Sequence, residues 1–178
     1  MKKKLRMEIV SKFVVGSDQG VDEFFDVKKA FIKSSYKEIV APEIIENYIK
    51  EHFDHRKMIN VLNDFSNQLI MVFANQQPVG YCFFQTGFSY PEASENQKMT
   101  AIKEFSILQE YDLPEVRLSL WNKVKSAIQF ADSIWINIRE NNSEIQFFKD
   151  QKFVFVKDTV SEPFNLPSSI YELDLKKS

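Results

Sequence analysis

The stretch from Val116 to Ile138 constrains the fold more than any other part of the chain. Leu120, Trp121, Val124, Ala127, Ile128 and Ala131 recur at three- and four-residue spacing and define the buried face of a helix over 116–131. Directly after it, Ile134, Ile136 and Ile138 alternate with other residues, which is the period of a strand over 133–138. A helical period that gives way at once to a strand period points to an α/β architecture.

The remaining elements follow from the same two periods. Leu5 to Val15 reads as a first strand, ended by the turn cluster Gly16-Ser17-Asp18-Gln19-Gly20. From Val21 a helix carries the apolar stripe Val21, Phe24, Val27 and Phe31, with Lys28, Lys29 and Lys33 away from its centre. A second helix opens at Pro42 and repeats Ile45, Tyr48, Ile49 and Phe53; Met58 to Leu62 is a further short helical piece. Strands over 69–74 and 79–86 form a hairpin across Asn75-Gln76-Gln77-Pro78. A polar loop over 87–98 precedes a strand over 99–108. After the strand over 133–138 come a short helix over 142–150, a strand over 153–160, a Pro-containing loop over 161–169 and a last strand over 170–175. The predicted order is β-α-α-β-β-β-α-β-α-β-β: one α/β (α+β, mixed-sheet) domain over 1–178 with helices on both faces.

Composition removes several functions. The chain has 178 residues and a formal net charge of −2, so it has no electrostatic footprint for nucleic acid. Lys2, Lys3, Lys4, Lys176 and Lys177 read as solvated termini. Glu8 and Lys12 interrupt any secretory apolar segment, and no apolar run approaches the ~20 residues of a membrane helix. The single cysteine, Cys82, excludes an internal disulfide and lies in an apolar strand pattern, as a buried thiol does. A cytoplasmic, membrane-free protein is expected. His52 and His55 are three apart, a spacing that can put two ligands on one helix face, but no Cys or third His joins them and no metal is expected. The 17 Phe residues point to a bulky core.

Three segments carry a family resemblance. Gln77-Pro78-Val79-Gly80-Tyr81 looks like a turn into a strand with a glycine at a fixed place. Phe105 to Tyr111 resembles a strand end in which an apolar pair is followed by a Pro-Glu-Tyr type sequence. Asn141 to Phe153 resembles a last helix with the pattern Asn, apolar residue, Phe-Tyr, then Gly-Phe. In this order they resemble the GCN5-related N-acetyltransferase (GNAT) superfamily over nearly the whole chain. Phe31, Tyr36 and Tyr48 look like its polyamine-acetylating branch.

The resemblance implies acetyl transfer from acetyl-coenzyme A to an amine of a small molecule or protein, by a monomer or homodimer. The acetyl group would lie beside Ile107 and Leu108, whose backbone groups would act, one N–H polarising the thioester carbonyl. Glu104 is the candidate base, with a solvated strand carboxylate as the other reading. Leu113, Arg117 and Leu118 would lie against the cofactor, as would Phe148. Asn141 would bond the pantetheine arm or the substrate, or else cap the last helix. Tyr36 and Tyr48 would line the acceptor cleft, or simply pack.

Three departures set the chain apart from the pattern. The phosphate loop, Asp112-Leu113-Pro114-Glu115-Val116-Arg117-Leu118, has no glycine, whereas close approach of backbone to pyrophosphate normally requires it. Asp112 and Glu115 have a capping-box spacing that would satisfy the helix N-terminus internally, Pro114 removes an N–H, and both carboxylates oppose phosphate. Arg117 or Lys123 would compensate by pairing with phosphate. Phe148 replaces the family's Tyr, which removes the thiolate acid, and Lys152 replaces Gly, which implies a different turn. The chain reads as a weakly active N-acetyltransferase, or as a GNAT-fold binding or regulatory module that no longer binds coenzyme A.

Overall fold

A computed structural model describes residues 7–177. The expectations for Lys2, Lys3 and Lys4, and for the strand's start at Leu5, lie outside those residues. The elements are β1 (Ile9–Val14), α1 (Asp18–Tyr36), α2 (Pro42–His52), α3 (His55–Asn63), β2 (Asn67–Ala74), β3 (Gln77–Thr86), β4 (Met99–Ile107), α4 (Pro114–Ala127), β5 (Ser133–Arg139), α5 (Glu144–Asp150), β6 (Val154–Ser161) and β7 (Leu166–Asp174). A 3-10 turn over Gln109–Tyr111 joins β4 to α4. The strands form one seven-stranded sheet in the order β1-β2-β3-β4-β5-β7-β6. It is mixed: β4 and β5 are parallel, whereas β1–β2, β5–β7 and β6–β7 are antiparallel. The expected mixed sheet and element order hold, with the short piece at Met58–Leu62 lengthened into α3.

Local chemistry explains the boundaries. Ser17 caps α1 by accepting the Gly20 N–H at 3.1 Å, so the helix begins three residues before Val21. Asp54 does the same for α3 through the Lys57 N–H at 3.0 Å. The β2–β3 turn is only Asn75-Gln76, at φ +48° and +69°, a left-handed pair that matches the twist of a hairpin. Gln77 and Pro78, expected in the turn, therefore belong to β3. In the same way β7 begins at Leu166 rather than Ile170. Pro167 sits opposite Val160 near its start, where a missing N–H is tolerated. Helix α4 starts at Pro114 and stops at Ala127, earlier than the periodicity suggested, although Ile128 just past its end is still buried.

The chain forms two compact units, each built from two segments. The first holds residues 1–83 and 105–127, the second 84–104 and 128–178. In the first, Val21, Phe24, Phe25 and Val27 of α1 pack on Leu69, Met71 and Phe73 of β2 and on Tyr81 of β3. Phe24 meets Tyr81 edge-on at 4.9 Å. The phenylalanines divide: Phe24, Phe25, Phe73, Phe84, Phe105, Phe148 and Phe153 are buried, whereas Phe13, Phe65, Phe88, Phe130 and Phe155 are exposed. In the second, Met99, Ala101, Trp135 and Ile170 form a core with Tyr90, Ala93 and Val156 against it. Cys82 is buried, as expected. Among the described residues no helix is long and apolar enough to cross a membrane.

Candidate functional site

In the first unit, the end of β4 is held by a close contact with β3. The Leu108 N–H donates to the Val79 carbonyl at 2.9 Å. That approach requires glycine at position 80. A Cβ there would stand 2.8 Å from the Ser106 carbonyl oxygen and 2.9 Å from Ile107 Cγ1. Successive N–H groups of a strand point to opposite sides, so the Ile107 N–H points away from β3. The ladder between β4 and β5 runs only from Met99↔Ser133 to Ile102↔Ile136, while β4 continues to Ile107. Of the two residues expected beside an acyl group, Leu108 thus has its N–H engaged and Ile107 presents the directed donor.

The segment after β4 corrects the capping expectation. The N–H groups of Val116 and Arg117 both donate to the Leu113 carbonyl, at 3.0 and 3.1 Å. Leu113 is therefore the N-cap and Asp112 lies one residue too early to form a capping box with Glu115. The Asp112 carboxylate is held by Arg117 instead, Nε to Oδ1 and Nη2 to Oδ2, both 2.5 Å. These side chains are only 28% and 18% exposed. Arg117, expected as a phosphate partner, has its guanidinium on an internal carboxylate in fork-to-fork geometry. Lys123, the other expected compensator, lies 5.5 Å over the Phe13 ring. Glu115 lines a cavity of about 490 Å³ with Met7, Glu8 and Ile9. Leu113 and Leu118 are 40% and 41% exposed.

The remaining first-unit candidates sit on separate helices. Tyr36 ends α1, where its carbonyl accepts the N–H groups of Ile39 and Val40. Tyr48 lies within α2 with its ring stacked on His52 at 4.3 Å. His52 ends α2 and His55 begins α3, so the two do not share a helix face as their spacing allowed. His52 Nδ1 lies 2.9 Å from the Tyr48 carbonyl, and His55 Nε2 lies 2.6 Å from Asp22 Oδ1.

In the second unit, Glu104 is partly buried on β4. Asn141 is exposed in the turn between β5 and α5 at φ +60°, a conformation Asn tolerates. The cap of α5 comes from its neighbour: Asn142 Oδ1 accepts the Glu144 N–H at 2.9 Å, which corrects the capping alternative for Asn141. Phe148 is 0% exposed, its ring 5.3 Å from Phe147 and 5.1 Å from Phe153. Its expected place against the cofactor is corrected: the ring is core and offers no surface. Lys152 stands at φ +74°, the left-handed region that favours glycine. The turn is thus the glycine turn itself, occupied by a lysine.

These observations decide which part of coenzyme A the first unit suits. The thioester end fits the end of β4, where a backbone donor is directed away from β3. The pyrophosphate does not fit the start of α4. Pro114 has no N–H, the Val116 and Arg117 N–H groups are taken by the Leu113 carbonyl, and Asp112 and Glu115 place carboxylates there. Sequence reasoning found the missing glycines but not the Asp112–Arg117 pair. The only signal was an acid and a base five apart across a helix start.

No known family's sequence profile matches the chain, and no curated protein does. Solved structures do. The PaiA N-acetyltransferase of Thermoplasma acidophilum, in complex with coenzyme A, superposes with TM-score 0.74 at 16% identity, over 94% of this chain and 99% of that one. FeeM, an N-acyl amino acid synthase from uncultured soil microbes, gives 0.70 at 13% identity, over 97% and 93%. NAA60 of Arabidopsis thaliana, in complex with a bisubstrate analogue, gives 0.65 at 10% identity, over 94% and 98%. The element order, the mixed sheet and these superpositions together establish that the chain has the fold of the GCN5-related N-acetyltransferases.

Proposed function

We propose that the chain transfers an acyl group, acetyl in the simplest case, from a coenzyme A thioester to an amine of a small molecule or protein. The observation that carries this reading is the end of β4: Leu108 anchored to Val79, Gly80 permitting the approach, and the Ile107 N–H directed away from β3. An amine nitrogen attacks the thioester carbon and forms the C–N bond. Charge builds on the carbonyl oxygen, which the Ile107 N–H stabilises. The C–S bond breaks and a thiolate leaves unprotonated, a tolerable departure that suits the burial of Phe148. Glu104 is the base that takes the ammonium proton. Leu113 and Leu118 supply apolar contact to the donor, and Tyr36 and Tyr48 serve the acceptor.

A second reading is favoured by the Asp112–Arg117 pair: a binding or regulatory module in which the nucleotide half of the site is closed. Thermal unfolding separates the two. Wild-type protein is melted alone, with acetyl-coenzyme A and with S-acetylpantetheine, each at millimolar concentration. A ligand at 100 times its dissociation constant adds ~2.7 kcal/mol, which for a domain of this size is roughly 5–11 °C. Similar shifts from both ligands support the acyltransferase with affinity in the thioester arm. No shift from either leaves the module.

A further inference from the structure

Strand β1 ends the sheet on one side, and among the described residues its only strand neighbour is β2. Its register with β2 runs unbroken from Ile9↔Ala74 to Val14↔Leu69. Just before it, the Asn75 N–H donates to the Glu8 carbonyl at 2.8 Å, and the Glu8 N–H donates to Asn75 Oδ1 at 3.0 Å. Backbone groups of successive strand residues point to opposite sides, so those of Val10, Lys12 and Val14 also face β2. The N–H and C=O groups of Ile9, Ser11 and Phe13 therefore face the open edge. Such a row is a template for another strand. At the other edge of the sheet, β6 is broken by a bulge between Phe155 and Lys157 and carries Lys157 and Asp158 in mid-strand, both of which blunt an edge. β1 has no bulge and a single charge, Lys12.

Helix α4 lays a second row over the first. Ser11 Oγ lies 2.8 Å from Ser119 Oγ, so Ile9, Ser11 and Phe13 turn their side chains toward α4. The rest of the row agrees. Ile9 and Glu115 line one cavity of about 490 Å³ with Met7 and Glu8, and the Lys123 ammonium lies 5.5 Å over the Phe13 ring. Four helical residues rise about 6 Å and two strand residues about 6.6 Å, so Glu115, Ser119 and Lys123 keep step with Ile9, Ser11 and Phe13. The row is polar in its charge. Its Ile9 end holds the cavity and two carboxylates, Glu8 and Glu115. Its Phe13 end holds Lys123 and two exposed apolar side chains, Phe13 at 48% and Val15 at 73%.

We propose that this edge pairs with the same edge of a second copy of the chain, antiparallel about a two-fold axis at Ser11. In that register every open backbone group of the strand finds a partner. Ile9 exchanges its bonds with Phe13 of the second copy, Ser11 with Ser11, and Phe13 with Ile9. Sliding the copies by two residues leaves Ile9 or Phe13 without a strand partner, and in one direction sets Lys12 against Lys12. An antiparallel pair also inverts the row of charges. Phe13 and Val15 of the second copy come opposite Ile9 and Met7, beside the cavity, and its Lys123 comes to Glu115. Lys12 falls opposite Val10, which is 45% exposed and is covered by the lysine stem. The Glu115 carboxylate, which opposes phosphate at the start of α4, thereby gains a cation. Pairing of this edge is independent of acyl transfer, since no thioester takes part.

The test uses the whole chain from micromolar to millimolar concentration, read by sedimentation velocity and by amide hydrogen exchange. A dimer is expected, in which the N–H groups of Ile9, Ser11 and Phe13 exchange more slowly as concentration rises. Lys123→Glu sets carboxylates against each other across the axis and should weaken the dimer by roughly tenfold. Adding Glu115→Lys to that variant restores opposite charges and should bring the affinity back. Neither change touches the ladder between β1 and β2, so the fold is kept in both. A monomer at every concentration, or a dimer in which those three N–H groups exchange at a rate independent of concentration, overturns the proposal. So does a dimer that Lys123→Glu leaves unchanged, or a double variant that associates no more tightly than Lys123→Glu alone.

Discussion

The guanidinium of Arg117 holds the carboxylate of Asp112 across the start of α4 through two hydrogen bonds of 2.5 Å each. A phosphate arriving there would have to displace Asp112 to reach Arg117. The proposed function therefore predicts that Asp112→Asn improves binding of coenzyme A. It removes a competing negative charge and frees the fork for a charge-assisted bond. One such bond is worth about 1.5 kcal/mol or more, so the dissociation constant should fall roughly tenfold. S-acetylpantetheine, which has no pyrophosphate, should bind unchanged. Stability should fall by about 1 kcal/mol, the net worth of a typical intramolecular hydrogen bond. Titration calorimetry with both ligands checks this; equal gains for the two would place the effect elsewhere.

Gly80 lets β3 meet β4 where the Leu108–Val79 bond forms. An added Cβ meets a backbone oxygen at 2.8 Å, and a backbone atom cannot swing aside as a side-chain tip can. Gly80→Ala should destabilise by ~1–3 kcal/mol, the range of overpacked cores. The loss should also appear in acyl transfer under conditions where the variant is folded, because the bond that directs the Ile107 N–H is the one displaced. Chemical unfolding and single-turnover kinetics on the same sample separate the two effects. A variant of wild-type stability would show that the strands are not held by this contact.

Lys152 occupies a left-handed turn at φ +74° between α5 and β6, with its N–H on the Lys149 carbonyl at 2.9 Å. A side chain in that conformation costs about 1–2 kcal/mol, and glycine gives part of the relief back through its freer unfolded chain. Lys152→Gly should raise stability by about 0.5–1 kcal/mol, seen as a melting temperature higher by roughly 1–4 °C. Lys152→Ala keeps the Cβ and should gain nothing, which separates conformational relief from removal of the charge.

What could be read from the sequence was what depends on period. The helix–strand switch at 116–138 and the stripe on α1 depend on burial of one face, and burial is written in the spacing of apolar residues. What could not be read depends on which partner wins. Asp112 had the right spacing from Glu115 for a capping box, yet Arg117 took its carboxylate, and no local rule compares a bidentate ion pair with a cap. Phe148 was placed by likeness to a tyrosine that meets a ligand; without the hydroxyl nothing opposes its burial beside Phe147 and Phe153. The Ser168 hydroxyl, buried without a partner, shows the same: a missing partner is a property of the assembled face, not of the strand that carries the residue.

The pair of Tyr90 and Glu172 makes an alkaline signature in the second unit. The Tyr90 hydroxyl donates to Glu172 Oε2 at 2.8 Å, and its ring packs edge-on against Trp135 at 5.6 Å. Desolvation first, then the hydrogen bond and charge of Glu172, push its pKa up to about 12 from 10.0. The sign follows from linkage. Between these values the unfolded chain ionises at Tyr90 while the folded protein keeps its proton, so the contribution is full below pH 10 and is lost as pH rises toward 12. Lys103, whose pKa is lowered, acts oppositely: its penalty is present at neutral pH and relieved as it loses its proton. The difference between wild type and Tyr90→Phe isolates the first effect, since Lys103 is common to both. Urea unfolding at a series of pH values from 8 to 12 should show the wild-type advantage constant up to about pH 10 and shrinking above it. A gap that stays constant to pH 12 would mean that Glu172 does not hold the phenolic proton.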